Sequence, residues 1–247
     1  VGCNYFIGAG DGYASLDNDY FVVESDEFNR HFTAYHPTYA IITNIEREHM
    51  ECYKDIDDIR NTFEIFANQT KKLIVANGDN EEVRKINYKT KVLFYGFNEN
   101  NEWTIKNEKL DETGSSFDVY HNNNFIGHFD LPLYGHHMVL DALAVIVFSY
   151  LQGLNVNDIA DSIKTFKGAK RRFKEKKIGN VITIDDYAHH PTEIKVTLKA
   201  VRQKYPNKEL VAVFLENTFS RTQSLYKDYA DALSIADKAY VTDIFSD

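Results

Sequence analysis

Short apolar runs that alternate with helical periods constrain this chain more than anything else in it. YFVVES (Tyr20–Ser25) and YAIITNI (Tyr39–Ile45) are brief, β-branched and flanked by polar residues, as expected of strands buried in a parallel sheet. Ile56, Ile59, Phe63 and Phe66 recur at helical spacing, which predicts an amphipathic helix over residues of about 54–68. KKLIVAN then reads as a strand, GDN as a turn before a short helix, and KVLFYGF as the next strand. Strand, helix and strand in this order describe an α/β layered sheet.

The pattern changes after Asn100. SSFDVYHNNNFIGHFDL holds two alternating segments around HNNN, a hairpin signal that predicts a small antiparallel patch on the α/β domain. Helical periods return from Tyr134 to Gln152 and again over about 156–166. The basic stretch KGAKRRFKEKK (Lys167–Lys177) separates two organised regions, so domains of 1–167 and 168–247 are expected. Beyond it, VITIDDY, a helix from Pro191 to Tyr205, ELVAVF, a helix over about 222–236 and KAYVTDI form a βαβαβ unit.

Composition narrows the functional classes. A formal net charge of −9 argues against general nucleic-acid binding, which rests on neutralising phosphates. No run of about 18 apolar residues is present to cross a membrane. Cys3 and Cys52 form neither a disulfide framework nor a zinc spacing, and fit a reducing cytoplasm. The chain opens without Met at a glycine-rich stretch and stops just after an apparent strand, so an internal piece of a larger protein is expected. GAGDG (Gly8–Gly12) lacks the spacing of a dinucleotide fingerprint, and no G-x-x-x-x-G-K-[ST] occurs, so the chain by itself is expected not to turn over ATP.

Ligands of doubly wound sheets bind at the carboxyl ends of strands. Four such places carry polar residues. ESDEF offers Glu24, Asp26 and Glu27, compatible with Mg2+ ligation or with a solvated cap. TNIEREHM offers Asn44, Glu46, Glu48 and His49, the histidine being a ligand, a proton carrier or an exposed loop residue. DDYAHHPTEI gathers Asp185, Asp186, His189 and His190 where a strand hands over to a helix begun by Pro191. Capping accounts for one acid there, not for two acids and two histidines. ENTFSRT places Arg221 where a guanidinium can grip a carboxylate. The basic linker residues Lys170, Arg171 and Arg172 can close over phosphates or face solvent.

Taken in order, TNIEREH, AKRRF, IDDYAHHPTEI and TFSRT resemble the Mur ligases, from Val1 to Asp247. The resemblance implies a P-loop-type central domain, lacking its P-loop segment, followed by the first half of a Rossmann-like C-terminal domain. It implies an ATP-dependent ligase of peptidoglycan synthesis, in the cytoplasm, monomeric or homodimeric. Such an enzyme joins L-alanine to the carboxylate of UDP-N-acetylmuramate through an acyl phosphate; a relative that attaches a whole recycled peptide is the alternative. Glu27 and His49 would hold Mg2+. His137, Asp141, Arg171 and Arg172 would meet ATP. Asp186 would approach the nucleotide across the interdomain cleft, and His189, His190 and Arg221 would lie near the amino acid or the acyl phosphate. Met138 and Asp141 stand where the family commonly has asparagines, and Glu216 and Asn217 where it commonly has proline and histidine. A non-catalytic domain derived from such a ligase is a further reading. A hydrolase metal site on His136–His137 or His189–His190 is disfavoured, because adjacent side chains of an extended segment point apart.

Overall fold

The computed structural model describes residues 2–8, 11–216 and 219–244, without the side chain of Ser220. Asn217 therefore lies outside the described residues. The chain opens with strands β1 (Cys3–Ile7), β2 (Asp11–Tyr13) and β3 (Tyr20–Val23), which form a three-stranded sheet of order β2-β1-β3. β1 and β3 run parallel. Next come β4 (Tyr39–Ile42), α1 (Ile56–Gln69), β5 (Leu73–Asn77), α2 (Glu81–Arg84), β6 (Val92–Gly96), β7 (Trp103–Asp111), β8 (Gly114–His121) and β9 (Asn124–Leu131). Their strands form one six-stranded sheet in chain order, parallel from β4 to β7 and antiparallel from β7 to β9.

One expectation needs correction here. The YFVV run is a strand, but it pairs with β1 rather than in the large sheet, and Phe21 and Val22 are 60% and 53% exposed. An apolar run marks burial only when layers cover both faces, and here they do not. The expected antiparallel patch on the α/β domain is present, and β7 joins it edge-on to β6. Parallel neighbours ordinarily need a crossover of a dozen residues. The short β6–β7 connection suffices because only Tyr95–Gly96 pair with Trp103–Thr104 before the strands diverge. Asp79 braces that connection, accepting from the backbone N–H of Phe97 and Asn98 and from the side-chain amides of Asn98 and Asn101. The hairpin itself turns at Asn122 and Asn123, with φ of 47° and 65°, the left-handed pair that a two-residue turn demands.

α3 (His136–Leu151) and α4 (Val156–Thr165) cover one face of this sheet, burying Val139, Leu143, Ile146, Val147 and Ile159 against Trp103, Phe117, Val119 and Phe129. α1 and its neighbours close a second core with Phe32, Ile59, Phe66, Ile74 and Val83 on the other side. The C-terminal part contains β10 (Lys174–Ile178), β11 (Val181–Asp185), α5 (Pro191–Lys204), β12 (Val211–Phe214), α6 (Phe219–Leu233) and β13 (Lys238–Val241). β12 and β13 are parallel, as expected. β11, by contrast, pairs antiparallel with β10, which sits inside the stretch read as a basic linker. Gly179–Asn180 supplies the two-residue turn, with Gly179 at φ 58°. A third core, including Ile194, Leu198, Phe214 and Tyr229, joins α5 and α6 to β12.

Phe117 is fully buried and stacks on Phe129 at 5.9 Å between ring centres. Phe117→Ala is expected to lower unfolding free energy by about 3–5 kcal/mol, read from urea unfolding followed by far-UV circular dichroism.

Candidate active site

The loops after β3 and β4 and the starts of α5 and α6 line one cleft of about 1260 Å³. From the N-terminal part it takes Glu24, Glu27, Asn44, Glu46, Glu48 and His49; from the C-terminal part Arg172, His189, His190, Thr192 and Arg221. Acids on one wall thus face cations and hydroxyls on the other.

Glu27 and His49 point at each other: Nε2 of His49 lies 3.1 Å from Oε1 of Glu27. His49 also packs edge-on against Phe28 at 5.1 Å and holds a left-handed backbone, φ 55°. That conformation costs a non-glycine residue about 1–2 kcal/mol, so the surroundings hold it in place. The bond to His49 keeps the Glu27 carboxyl below its ordinary range, against the opposing effect of burial. The same bond raises the imidazole of His49, again against burial, with help from the charge of Glu48.

Direct contacts close the cleft from both sides. Thr192 Oγ1 donates to Oε2 of Glu46 at 2.7 Å, and Arg221 Nη2 meets Oε1 of Glu48 at 2.7 Å. His190 lies between, with Nδ1 3.5 Å from Glu46 and Nε2 3.9 Å from Glu48. Nδ1 already accepts from the backbone N–H of Thr192 at 3.3 Å, so the ring proton belongs on Nε2, facing Glu48. These bridging acids were seen in the sequence only as loop candidates. Their partners sit over 140 residues away, as the Glu46–Thr192 separation of 146 shows, and no local pattern encodes that.

Much of DDYAHHPTEI is structural. His190 caps α5 in a capping box with Glu193, Pro191 opens the helix, and Oε2 of Glu193 accepts from the backbone N–H of His189 and His190. His189 turns its Nδ1 to the carbonyl of Tyr187 at 3.0 Å, and Tyr229 donates to the carbonyl of His189 at 2.8 Å. Asp186 anchors the linker: it accepts from the backbone N–H of Phe173 and of Ala188, both at 2.8 Å. Arg171 stacks over the Tyr187 ring at 4.8 Å and is not among the cleft-lining residues, whereas Arg172 is. Arg172 reaches Glu193 at 3.5 Å.

His137 and Asp141, on the first turns of α3, stand outside this cleft and beside Arg172. Burial lowers the imidazole of His137, with the charge of Asp186 opposing. Asp141 is solvent-exposed by surface area, although the protein crowded around its carboxyl raises it against the pull of Arg172. Met138 packs against the core below α3, and Glu216 is buried, 1% exposed, beside Tyr229. Neither histidine pair converges: His136 stacks on Phe97 at 3.7 Å and pairs with Glu108, turned away from His137. Among the described residues no group of three or more His, Cys, Asp or Glu could enclose a metal.

Comparison with known proteins gives these positions a context. The Mur ligase middle domain matches residues 13–149, and the Mur ligase glutamate ligase domain matches 171–246. The UDP-N-acetylmuramate–L-alanine ligases of Ligilactobacillus salivarius and Levilactobacillus brevis are 49% and 48% identical to it over 98% of the chain. The chain spans 55% of the length of each of these relatives. Among solved structures, UDP-N-acetylmuramate-alanine ligase from Thermotoga maritima superposes with a TM-score of 0.79 at 26% identity, over 96% of this chain and 53% of that one. MurF from Acinetobacter baumannii, at 18% identity and a TM-score of 0.75 over 92% of this chain and 56% of its own, shares the fold.

The Glu27–His49 pair has a defined pH signature. Its stabilisation by His49 is complete below the ordinary histidine value and is lost as pH rises through the elevated one. Its stabilisation by Glu27 is complete above the ordinary carboxylate value and is lost as pH falls through the depressed one. NMR titration should therefore find His49 above 6.5, and Glu27→Gln should bring it down. A His49 titration indifferent to that substitution would refute the contact.

Proposed function

The chain belongs to the Mur ligase family, and from that membership we propose that it forms the catalytic cleft of an ATP-dependent ligase joining L-alanine to UDP-N-acetylmuramate. The supporting observation is the bridging of the two parts by Glu46–Thr192 and Glu48–Arg221, which gathers four strand-end loops into one cleft. We place the domain boundary between residues 167 and 168, within the gap that separates the two matched segments. The names and high identity of the relatives favour L-alanine over a peptide as acceptor.

The chemistry divides between the walls. The muramate carboxylate attacks the γ-phosphorus of ATP; ADP leaves and an acyl phosphate remains. The amine of L-alanine then adds to the acyl carbon, and the tetrahedral intermediate collapses by expelling phosphate. Arg172 lines the cleft and offers a guanidinium to the transferring phosphoryl group. Arg171 keeps Tyr187 in place behind it, and Asp186 fixes the linker that carries both arginines. His137 and Asp141 serve the nucleotide from α3. Arg221 grips the carboxylate of the incoming amino acid in exchange for Glu48, and His189 and His190 frame the place where its amine attacks. Closure of the two walls keeps water from the acyl phosphate.

Glu27 would offer a carboxylate to a cation shared with phosphates, since Mg2+ is usually bound by one or two carboxylates together with water and phosphate oxygens, and His49, 3.1 Å from that carboxylate, would join the site once its ring nitrogen is unprotonated. The depressed pKa of Glu27 keeps a hard, charged oxygen available there. When bound, Mg2+ would neutralise charge on the phosphates.

The test is radiolabelled L-alanine incorporation into UDP-N-acetylmuramate by the full-length protein containing this chain. ATP-dependent incorporation is expected, with Arg221→Ala lowering kcat/KM for L-alanine about 10–100-fold, the worth of one or two charge-assisted hydrogen bonds. Incorporation of a peptide and not of L-alanine would overturn the proposal.

A further inference from the structure

A single side-chain amide ties the two parts together at a second place, remote from the cleft. Gln203 lies in the last turn of α5. Its Oε1 accepts from the backbone N–H of Gly135 at 2.7 Å. Its Nε2 donates to the carbonyls of Asp111 at 3.0 Å and Gly114 at 2.7 Å. Both amide protons and the oxygen are thereby engaged, all by backbone of the N-terminal part. Two separate segments are held, the β7–β8 turn and the residue that precedes α3.

The packing there leaves no slack. Gly135 has φ 96°, and a Cβ on it would lie 2.6 Å from Cε1 of His137 and 3.3 Å from Cβ of Ala200 on α5. α5 therefore rests directly on the backbone at the start of α3. The neighbouring Lys204 adds a tie across the parts, with Nζ 4.6 Å from the centre of the Tyr134 ring, and is itself held by Glu175 at 2.6 Å.

α5 is 14 residues long, so it spans about 20 Å. Its N-terminal end carries the cleft residues His190, the cap, and Thr192; its last turn carries Gln203. A rigid rod of that length tilted by roughly 10° at one end moves the other by about 3–4 Å, enough to break the 2.7 Å contact between Thr192 and Glu46. We propose that Gln203 is a positioning residue that fixes the tilt of α5 and so sets how His190 and Thr192 meet Glu46 and Glu48 and, through the core that α5 shares with α6, how Arg221 meets Glu48. This goes beyond the ligase reading, and its test requires no activity.

The experiment measures electron–electron distances between nitroxides on the two parts of the chain. Labels go on K89C and K227C, both exposed positions, in a background carrying C3S and C52S. Q203M removes the donors and the acceptor at nearly constant volume, while Q203E keeps the acceptor for Gly135 and loses both donors. Each is expected to widen the distance distribution at least twofold. R202M is the comparison: among the described residues Arg202 bonds within the C-terminal part, to Lys208, Ile235 and Asp237. It should lower stability and leave the distribution as in the parent. Circular dichroism establishes folding, and Q203E serves if Q203M unfolds. A Gln203 variant whose distribution superimposes on the parent, or an R202M variant that widens it equally, overturns the proposal.

Discussion

Parallel hydrogen bonding decides which loops of this protein can meet. Once β4, β5 and β6 pair in parallel, their carboxyl ends lie along one edge, and the loop from Thr43 to His49 must emerge there. The same rule brings the segments after β12 and β13 to one edge of the smaller pair. Chemistry needs only that these two edges be turned toward each other. The loop from Thr43 to His49 inherits its place from that backbone arrangement, whereas Glu27, after β3, and the His189–His190 loop, after β11, hang from other strand pairs and meet it in a cleft bridged by Glu46–Thr192 and Glu48–Arg221.

Charge then sharpens what topology allows. The wall from the N-terminal part is acidic and the opposing wall carries guanidinium, imidazole and hydroxyl groups. Glu48 and Arg221 are each less than one-fifth exposed, so neither could be left alone without a large desolvation penalty. A substrate carboxylate can replace Glu48 only where another group or water takes over the freed acid. Contacts of this kind hold two surfaces in register while remaining exchangeable.

Most elements were legible because their local signals agreed with their surroundings. The Ile56–Phe66 spacing and the HNNN turn are examples in which period and turn chemistry fix the answer. β3 was read as buried because an apolar run reports hydrophobicity, not whether layers cover both of its faces; it does run parallel, to β1. β10 was hidden in a run of lysines whose alternation is masked by uniform charge, although Gly179–Asn180 marked the turn. At the candidate site, Glu27 and His49, read in the sequence as one pair, face each other, and the DDYAHHPTEI loop lines the same cleft. That much of the loop's chemistry is spent on capping and on anchoring Phe173 was not foreseeable, since a carboxylate that binds backbone N–H groups looks the same in sequence as one that faces a ligand. Gln203 gave no signal at all: a glutamine in a helical period is ordinary until its partners are known.

The left-handed backbone at His49 has a consequence for anyone redesigning this protein. A procedure that ranks residues by conformational comfort would overwrite the imidazole with glycine or asparagine and report an improvement. The gain in robustness would erase the group that faces Glu27. Position 49 is thus a place where foldability and usefulness select opposite alphabets, and it should be frozen before any thermostabilising search begins.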